Sequence, residues 1–174
     1  MAKARIYLDF DGVINADKPR FDDVVTFAFT VKERGLLKRY TINYSPTMLN
    51  LLSALLTKHD VEVVWLSTWN ENLEILKVMR KIGMLPGGRV INIVMNSDWD
   101  TNRAWTKWKA DKLVADLKGD DMPFIWVDDE AHKYHKADVV AAVGHNRHML
   151  VSPRSYWGLT PGHLAGMDAF LSSL

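Results

Sequence analysis

The chain has 174 residues, a length that one compact domain accommodates, and 48% of them are hydrophobic, enough to bury a core. Its 22 basic residues nearly balance its 21 acidic ones, so total charge does not indicate a general nucleic-acid binder, although a local basic patch stays open. The absence of cysteine excludes disulfides, thiolate nucleophiles and cysteine-based zinc sites. Apolar runs fall short of the ~18 residues of a membrane span and the N-terminus lacks a signal-peptide pattern, so we expect a soluble, cytoplasmic protein with no membrane partner.

Short apolar runs rich in β-branched residues alternate with helical patterns, which predicts a parallel sheet wrapped by helices. The predicted strands lie at about 4–9, 61–66, 89–95, 123–128 and 148–151. The predicted helices are one capped by Ser45 and Pro46, one from Asn70 to Gly83, one from about Thr101 to Leu117 that ends at Gly119, and one that begins at Thr160 and Pro161.

The segment at about 20–44 lacks a helical pattern. β-forming residues cluster on both sides of Glu33, Arg34 and Gly35, which predicts a β-hairpin. We expect this hairpin to lie over the carboxyl end of the first strand.

The strongest chemical signal is IYLDFDGVIN, residues 6–15. In an extended chain, residues two apart point to the same side, so Asp9 and Asp11 can face one site while Phe10 packs on the other side. Gly12 then allows a sharp turn and a close approach to a ligand. Two crowded carboxylates favour a divalent cation, and oxygen ligands select magnesium.

This motif resembles the first motif of the haloacid dehalogenase (HAD) superfamily, an apolar strand that ends in DxDG followed by a small apolar or β-branched residue. The match at Asp9, Asp11, Gly12 and Val13 is complete. The resemblance implies that Asp9 attacks phosphorus to form an aspartyl-phosphate, and that Asp11 protonates the leaving oxygen and then activates water. The dehalogenases of the superfamily lack the second aspartate, so its presence favours phosphate chemistry.

The other motifs of the superfamily have counterparts here. VEVVWLSTW supplies Ser67 at the end of a strand, with Thr68 beside it, and a hydroxyl there can orient a phosphoryl oxygen. PFIWVDDE places Asp128 and Asp129 after an apolar run. The resemblance implies that Asp129 is the more direct metal ligand and that Asp128 supports it or shares the metal shell, together with Asp9 and Asp11.

The remaining motif is a lysine on the helix before the last of these strands, where the sequence offers Lys107, Lys109 and Lys112. Lys112 lies roughly 150° from the apolar face of that helix and should face solvent. Lys109 lies early in the helix in a WK context that resembles a subset of the superfamily. We predict Lys109 as the motif lysine, which would neutralise Asp9 and the transferring phosphoryl group, with Lys107 and Lys112 as alternatives.

The nearest subset is the group of phage and bacterial HAD domains associated with RNA repair proteins, on the basis of VVWLSTW, the WK helix, FIWVDDE and the tail GLTPGHLAGMDAFL. The resemblance implies one domain over residues 1–174, a Rossmann-like three-layer α/β/α sandwich. Its parallel five-stranded sheet would have order 3-2-1-4-5, and the hairpin at about 20–44 would be a minimal cap.

The implied activity is Mg²⁺-dependent hydrolysis of phosphomonoesters, with a phosphorylated small molecule or a nucleic-acid end as the substrate. The alternatives are a catalytically inactive HAD-fold module that binds nucleic acid or protein, and a phosphotransferase.

Several other residues are given structural roles. We expect Trp65 and Trp126 in the core, and Trp69, Trp105, Trp108 and Trp157 either near the mouth of the site or, for most of them, in packing. His132 and His135 follow the acidic pair and could contact the substrate, but most of the histidines are expected at the surface. Arg5, Lys18 and Arg20 are expected on a solvated rim.

Overall fold

A parallel sheet forms the centre of the protein. The computed structural model describes residues 2–33, 36–83, 88–93 and 102–174. The strands are β1 (Ala4–Leu8), β2 (Val25–Glu33), β3 (Leu36–Tyr44), β4 (Val61–Trp65), β5 (Arg89–Val90), β6 (Phe124–Val127) and β7 (His148–Val151). Five of them pair in the order β5-β4-β1-β6-β7, all parallel, which confirms the predicted order.

The edge strand β5 (Arg89–Val90) is shorter than the strand predicted at about 89–95. The carbonyl of Ile91 accepts a hydrogen bond from Asn70 Nδ2 at 2.8 Å, so a side chain takes the place of a strand neighbour there. Residues 94 and 95 lie outside the described residues.

Helices cover both faces of the sheet. They are α1 (Pro46–Lys58), α2 (Glu74–Ile82), α3 (Asn102–Asp116), α4 (Ala131–Val143) and α5 (Pro161–Ser172). Because alternate strand residues point to opposite faces, Ile6 and Leu8 pack in a core with α1, α2 and α5, whereas Tyr7 packs with α3 and α4. This is the predicted three-layer α/β/α arrangement. Within the described ranges, no helix is both long and apolar enough to cross a membrane.

The ends of the helices follow most of the predicted signals. Ser45 accepts a hydrogen bond from the Met48 amide at 3.0 Å, and Thr160 forms a capping box at the start of α5. Gly83 ends α2 with a φ of +92°. The predicted start of the third helix, Thr101, lies outside the described residues.

The predicted helix cap at Asn70 is wrong. A short 3-10 helix over Thr68–Leu73 precedes α2, which begins at Glu74. The Asn70 side chain instead donates to the Trp65 carbonyl at 2.7 Å and to the Ile91 carbonyl, where it ties together the ends of β4 and β5.

Helix α4 was not predicted from the sequence. Its buried positions include Ala131, Val139 and Val143, and also His132 and His135. Because two of the residues on the buried face are histidines, the apolar pattern of this helix is weak in the sequence.

The predicted β-hairpin is present. Strands β2 and β3 pair antiparallel from Val25 with Tyr44 to Glu33 with Leu36, while Arg34 and Gly35 lie outside the described residues. At its base, the Asn43 carbonyl accepts from the Ala16 amide at 3.1 Å. The hairpin is therefore attached to the loop that follows β1.

Candidate active site

The site begins where two neighbouring strands end. Leu8 of β1 is in register with Val127 of β6, and the Asp9 amide donates to the Val127 carbonyl at 3.1 Å. Asp9 and Asp128 are therefore adjacent at the same edge of the sheet, and both are buried. Sheet register alone thus brings together two carboxylates that are distant in sequence.

Lys109 of α3 connects these two carboxylates. Its Nζ lies 2.5 Å from Asp9 Oδ2 and 2.7 Å from Asp128 Oδ2, and the side chain is 5% exposed. Of the three lysines considered from the sequence, Lys107 instead pairs with Asp111 on the surface, and Lys112 is exposed. Lys109 is thus the lysine of this helix that lies in the site.

Burial and charge set the protonation of this trio. Burial alone would lower the pKa of the Lys109 ammonium, but the charges of Asp9 and Asp128 and the hydrogen bonds to them raise it above its ordinary value. Burial raises the pKa of Asp9 to about 6, against the opposing effects of Lys109 and of a hydrogen bond from the Ser67 side chain. The ammonium therefore stays charged across the physiological range.

Asp128 is held by the main chain as well as by Lys109. Its Oδ1 accepts from the amides of Glu130 at 3.0 Å and Ala131 at 2.6 Å, at the start of α4. Because both oxygens have donors, Asp128 is fixed in orientation.

Asp129 lies against Gly12. A Cβ at Gly12 would lie 2.2 Å from Asp129 Oδ2, and the φ of Gly12 is +68°. Glycine is required at this position both for its backbone conformation and for the close approach of the carboxylate. Burial and the charges of Asp9 and Asp128 raise the pKa of Asp129 to about 7.

The three carboxylates can hold a metal ion. Asp9, Asp128 and Asp129 each offer an oxygen, and these oxygens lie within 4.8 Å of one another. Among the described residues, one buried ammonium, that of Lys109, contacts two of these three acids, so a further cation is needed if all three are to be ionised. Carboxylate oxygens are the ligands that magnesium prefers. The donor set and its excess negative charge therefore fit a divalent cation.

The carboxylate of Asp11 lies outside this group of three. Its Oδ2 accepts from Trp69 Nε1 at 2.7 Å and its Oδ1 accepts from Asn15 Nδ2 at 2.7 Å, and Asp11 is exposed. Asn15 Oδ1 in turn accepts from the Asn43 amide of β3 at 2.9 Å. Asp11 is thus oriented toward the solvent side of the site by contacts that run to the hairpin.

Sequence reasoning missed the role of these two supporting residues. The sequence leaves Trp69 either near the mouth of the site or in packing, and it assigns no role to Asn15. Asn15 follows Asp11 by four residues in a tight turn, where a side-chain amide often reaches back to a carboxylate, so this spacing was the available signal. The contact with Trp69 depends on tertiary packing and has no local signal.

Ser67 is fully buried at the end of β4. Its hydroxyl caps the following 3-10 helix by accepting from the Trp69 amide at 3.3 Å, and its side chain also hydrogen-bonds Asp9. The structure thus brings Ser67 to the same site as Asp9.

Two expectations of surface exposure are wrong. His132 and His135 are buried, because the His132 ring packs against Trp126 with centroids 4.4 Å apart and His135 Nε2 lies 3.1 Å from Thr106 Oγ1. Arg5 is buried at the opposite end of β1, where its Nε lies 2.7 Å from Glu62 Oε2. An ion-paired network at the end of the sheet away from the site explains this burial.

The tryptophans divide as the sequence suggested where the structure describes them. Trp65 and Trp126 are fully buried in the core, as predicted, and Trp69 and Trp108 are also buried. The side chain of Trp105 lies outside the described residues. Trp157 is half-buried on the loop after β7.

Comparison with known proteins identifies a family. Residues 5–164 match the family described as the HAD domain in Swiss Army Knife RNA repair proteins. No curated protein gives a significant match. The match covers all of the carboxylates described above, together with Ser67 and Lys109.

Proposed function

The chain belongs to the family of HAD domains in Swiss Army Knife RNA repair proteins, and from this premise we propose that it is a magnesium-dependent phosphohydrolase. The observation that carries the proposal is the buried contact of Lys109 with both Asp9 and Asp128, beside Asp129. In such an arrangement, the Asp9 carboxylate can act as a nucleophile while the Lys109 ammonium stabilises the negative charge of a bound phosphate ester.

In the first step Asp9 attacks phosphorus. A bond forms between a carboxylate oxygen of Asp9 and phosphorus, and the bond from phosphorus to the ester oxygen breaks. Asp11 gives a proton to the leaving oxygen, so the product is an alcohol and the enzyme carries an aspartyl-phosphate.

In the second step a water molecule replaces Asp9. Asp11, now ionised, takes a proton from the water, whose oxygen bonds to phosphorus while the bond to Asp9 breaks. Inorganic phosphate leaves and both aspartates return to their starting forms. The exposed position of Asp11 supports this role, because it can face both the leaving group and water.

Ser67 and Lys109 position and neutralise the reacting groups. The Lys109 ammonium offsets the negative charge of Asp9 and of the phosphoryl oxygens, and the Ser67 hydroxyl can orient one of those oxygens. Asp9, Asp128 and Asp129 would hold magnesium, whereas Asp11, also predicted as a ligand from the sequence, has its carboxylate outside this group and is assigned to proton transfer. When bound, the ion screens the repulsion between the carboxylate and the phosphate and polarises the phosphoryl group.

We further infer that the substrate is the phosphorylated end of a nucleic acid. The family membership supports this substrate class, and so does the small size of the hairpin at about 20–44 as a cap, since a small cap leaves room for a bulky substrate. The same site could accept a small aryl phosphate as a test substrate.

The proposal is tested by hydrolysis of p-nitrophenyl phosphate with and without Mg²⁺. We expect turnover that requires the ion, and loss of turnover in Asp9→Asn, which keeps the shape of the side chain but removes its nucleophilic charge. Asp121→Asn, at a fully exposed position before the start of β6, at the end of the sheet away from the site, is the matched control and should be active. Full activity of Asp9→Asn would reject Asp9 as the nucleophile.

The class of reaction and the substrate need a second measurement. Purified protein is given oligonucleotides phosphorylated at the 3′ or the 5′ end, and free phosphate is measured beside phosphorylated products. Release of free phosphate supports hydrolysis, whereas transfer to an added alcohol supports a phosphotransferase. Binding of nucleic acid without turnover of any phosphorylated substrate would favour an inactive binding module.

A further inference from the structure

A group of cationic and aromatic side chains borders the candidate active site. It comes from the loop after β1 and from the loop between β7 and α5, and we call it the cationic rim: Lys18, Arg20, Arg154, Tyr156 and Trp157. The three cations and Tyr156 are exposed, with Tyr156 at 44%, and Trp157 is half-buried. The rim is therefore available to a ligand.

Main-chain hydrogen bonds fix the rim beside the site. The loop after β7 starts where the Val151 carbonyl accepts from the Asp128 amide at 3.1 Å. It ends where the Leu159 amide donates to the carbonyl of Val13, next to Gly12, at 2.8 Å. Both ends of the loop thus contact segments that carry site carboxylates.

The cations of the rim are arranged on aromatic rings. The guanidinium carbons of Arg20 and Arg154 lie 3.9 and 4.8 Å from the centre of the Trp157 ring. Lys18 Nζ lies 5.6 Å from the centre of the Tyr156 ring and its side chain hydrogen-bonds that of Tyr156, while the Lys18 amide donates to the Tyr156 carbonyl at 2.8 Å. Stacking on a ring orders a guanidinium while its N–H groups stay available to an anion.

These cations have no acidic partner in the described ranges, where none of the three forms an ion pair. Asp17 on one side and Asp22 and Asp23 on the other flank Lys18 and Arg20 along the loop after β1, so this loop has no net positive charge. The rim therefore offers a few separate cationic contacts and does not have the high net positive charge that would attract any polyanion from a distance.

We propose that the cationic rim binds the chain of a single-stranded polynucleotide whose terminal phosphate enters the active site, an inference that rests on the proposed function. The guanidinium and ammonium groups would contact backbone phosphates, and the exposed Tyr156 ring would stack on a base. Interleaved cations and aromatic rings match a strand that alternates phosphates with planar bases. An acidic peptide would match the charges alone.

The test uses fluorescence anisotropy with a labelled single-stranded RNA of roughly ten nucleotides. The RNA has hydroxyl groups at both ends, so binding does not require phosphatase chemistry. Three phosphate contacts predict that log K falls with log salt at a slope of about −2 between about 50 and 200 mM salt. Arg20→Ala and Arg154→Ala should each weaken binding several-fold and reduce the slope by about 0.7. Tyr156→Ala should weaken it roughly fivefold or more.

Arg147→Ala is the matched control, because Arg147 is exposed before β7, at the other end of the sheet, and its removal should leave binding unchanged. Circular dichroism verifies the fold of each variant. Lys18→Gln, which leaves the Trp157 contacts in place, serves as a second rim variant and should also weaken binding.

The outcomes separate this inference from the proposed function. Three results would contradict RNA binding by the cationic rim. They are unchanged binding in the rim variants, an equal loss of binding in Arg147→Ala, and competition by polyglutamate as strong as by unlabelled RNA. Hydrolysis of p-nitrophenyl phosphate by the wild-type protein without RNA binding would overturn the rim alone. Rim-dependent RNA binding without any hydrolysis would support the rim and contradict the phosphatase.

Discussion

Replacement of Trp69 by phenylalanine isolates one hydrogen bond to the proposed acid and base. Trp69 Nε1 lies 2.7 Å from Asp11 Oδ2, while the Trp69 ring packs with Phe10 and Tyr40 at centroid distances of 5.1 and 5.3 Å. Phenylalanine keeps much of this aromatic packing and removes the N–H. Asp11 then keeps one side-chain donor, Asn15, and gains freedom to rotate.

The size of the effect follows from the kind of bond that is lost. A hydrogen bond to a charged group contributes about 1.5–3 kcal/mol, and the lower end applies because water can reach the exposed carboxylate of Asp11. Since about 1.4 kcal/mol is a factor of ten in rate, kcat/KM for an alkyl phosphate should fall roughly tenfold. For p-nitrophenyl phosphate, whose leaving group departs without a proton, the change should be under about threefold.

The assay compares kcat/KM for the two substrates in wild-type, Trp69→Phe, Asp11→Asn and the double variant. In Asp11→Asn the carboxylate is absent, so the added Trp69→Phe change should have little further effect on the alkyl phosphate. Thermal unfolding checks that the single variants are folded. An equal loss on both substrates, or a full additional loss in the double variant, would show that Trp69 does not act through Asp11.

Three further changes test the charge, the backbone and the buried histidine. Lys109→Met should abolish turnover and lower the free energy of unfolding in urea by about 3–5 kcal/mol, because the buried carboxylates lose their ammonium. The control Lys107→Met, at an exposed position, should have little effect on turnover or on the free energy of unfolding. An unaltered unfolding free energy in Lys109→Met would count against this ion pair. Gly12→Ala should lower the free energy of unfolding by about 2 kcal/mol or more and impair turnover, since the φ of Gly12 is +68° and the new Cβ would meet the Asp129 carboxylate. In the control Gly162→Ala, the nearest atom to the new Cβ is 3.8 Å away, so this change should be nearly neutral. Burial lowers the pKa of His132 from 6.5 to about 4. Between these pH values the unfolded state binds a proton at His132 and the folded state does not, so the free energy of unfolding should fall as the pH is lowered, by up to roughly 3 kcal/mol at pH 4. Replacement of His132 by Phe should flatten the stability profile between those pH values, and an unchanged profile would contradict the assignment.

Much of the fold could be predicted because its signals are local. The central strands are short apolar runs bounded by polar residues, and the order of the sheet follows from the crossover rules and the resemblance together. Ser45 and Thr160 cap helices as expected, because a capping residue acts on amides within its own turn. The same locality explains Asp9 and Asp128, since both directly follow a buried strand and parallel strands end at one edge of a sheet.

The remaining features depend on contacts between distant segments. Asn70 carries a capping residue's signal, but its amide is used by two carbonyls of neighbouring strands. Helix α4 buries His132 and His135, residues that count as polar in a hydrophobic pattern. Arg5 lies in a central strand and is compensated by Glu62 of the neighbouring strand, with which it is in register. In each case a contact with another strand or helix decides the outcome, and the hydrophobic pattern of a single element carries no information about that contact.

The two halves of the proposed chemistry rest on different structural supports. Asp9 and Asp128 are fixed by the main-chain register of β1 and β6 and by Lys109, all within the central sandwich. Asp11 is fixed by Trp69 and Asn15, both of which contact the hairpin: Trp69 through the Tyr40 ring and Asn15 through the amide of β3. Changes to the hairpin should therefore affect proton transfer to the leaving group while leaving the nucleophile and its ammonium in place. A minimal cap of this kind would then act on catalysis through the orientation of one carboxylate, in addition to any contact that it makes with the substrate.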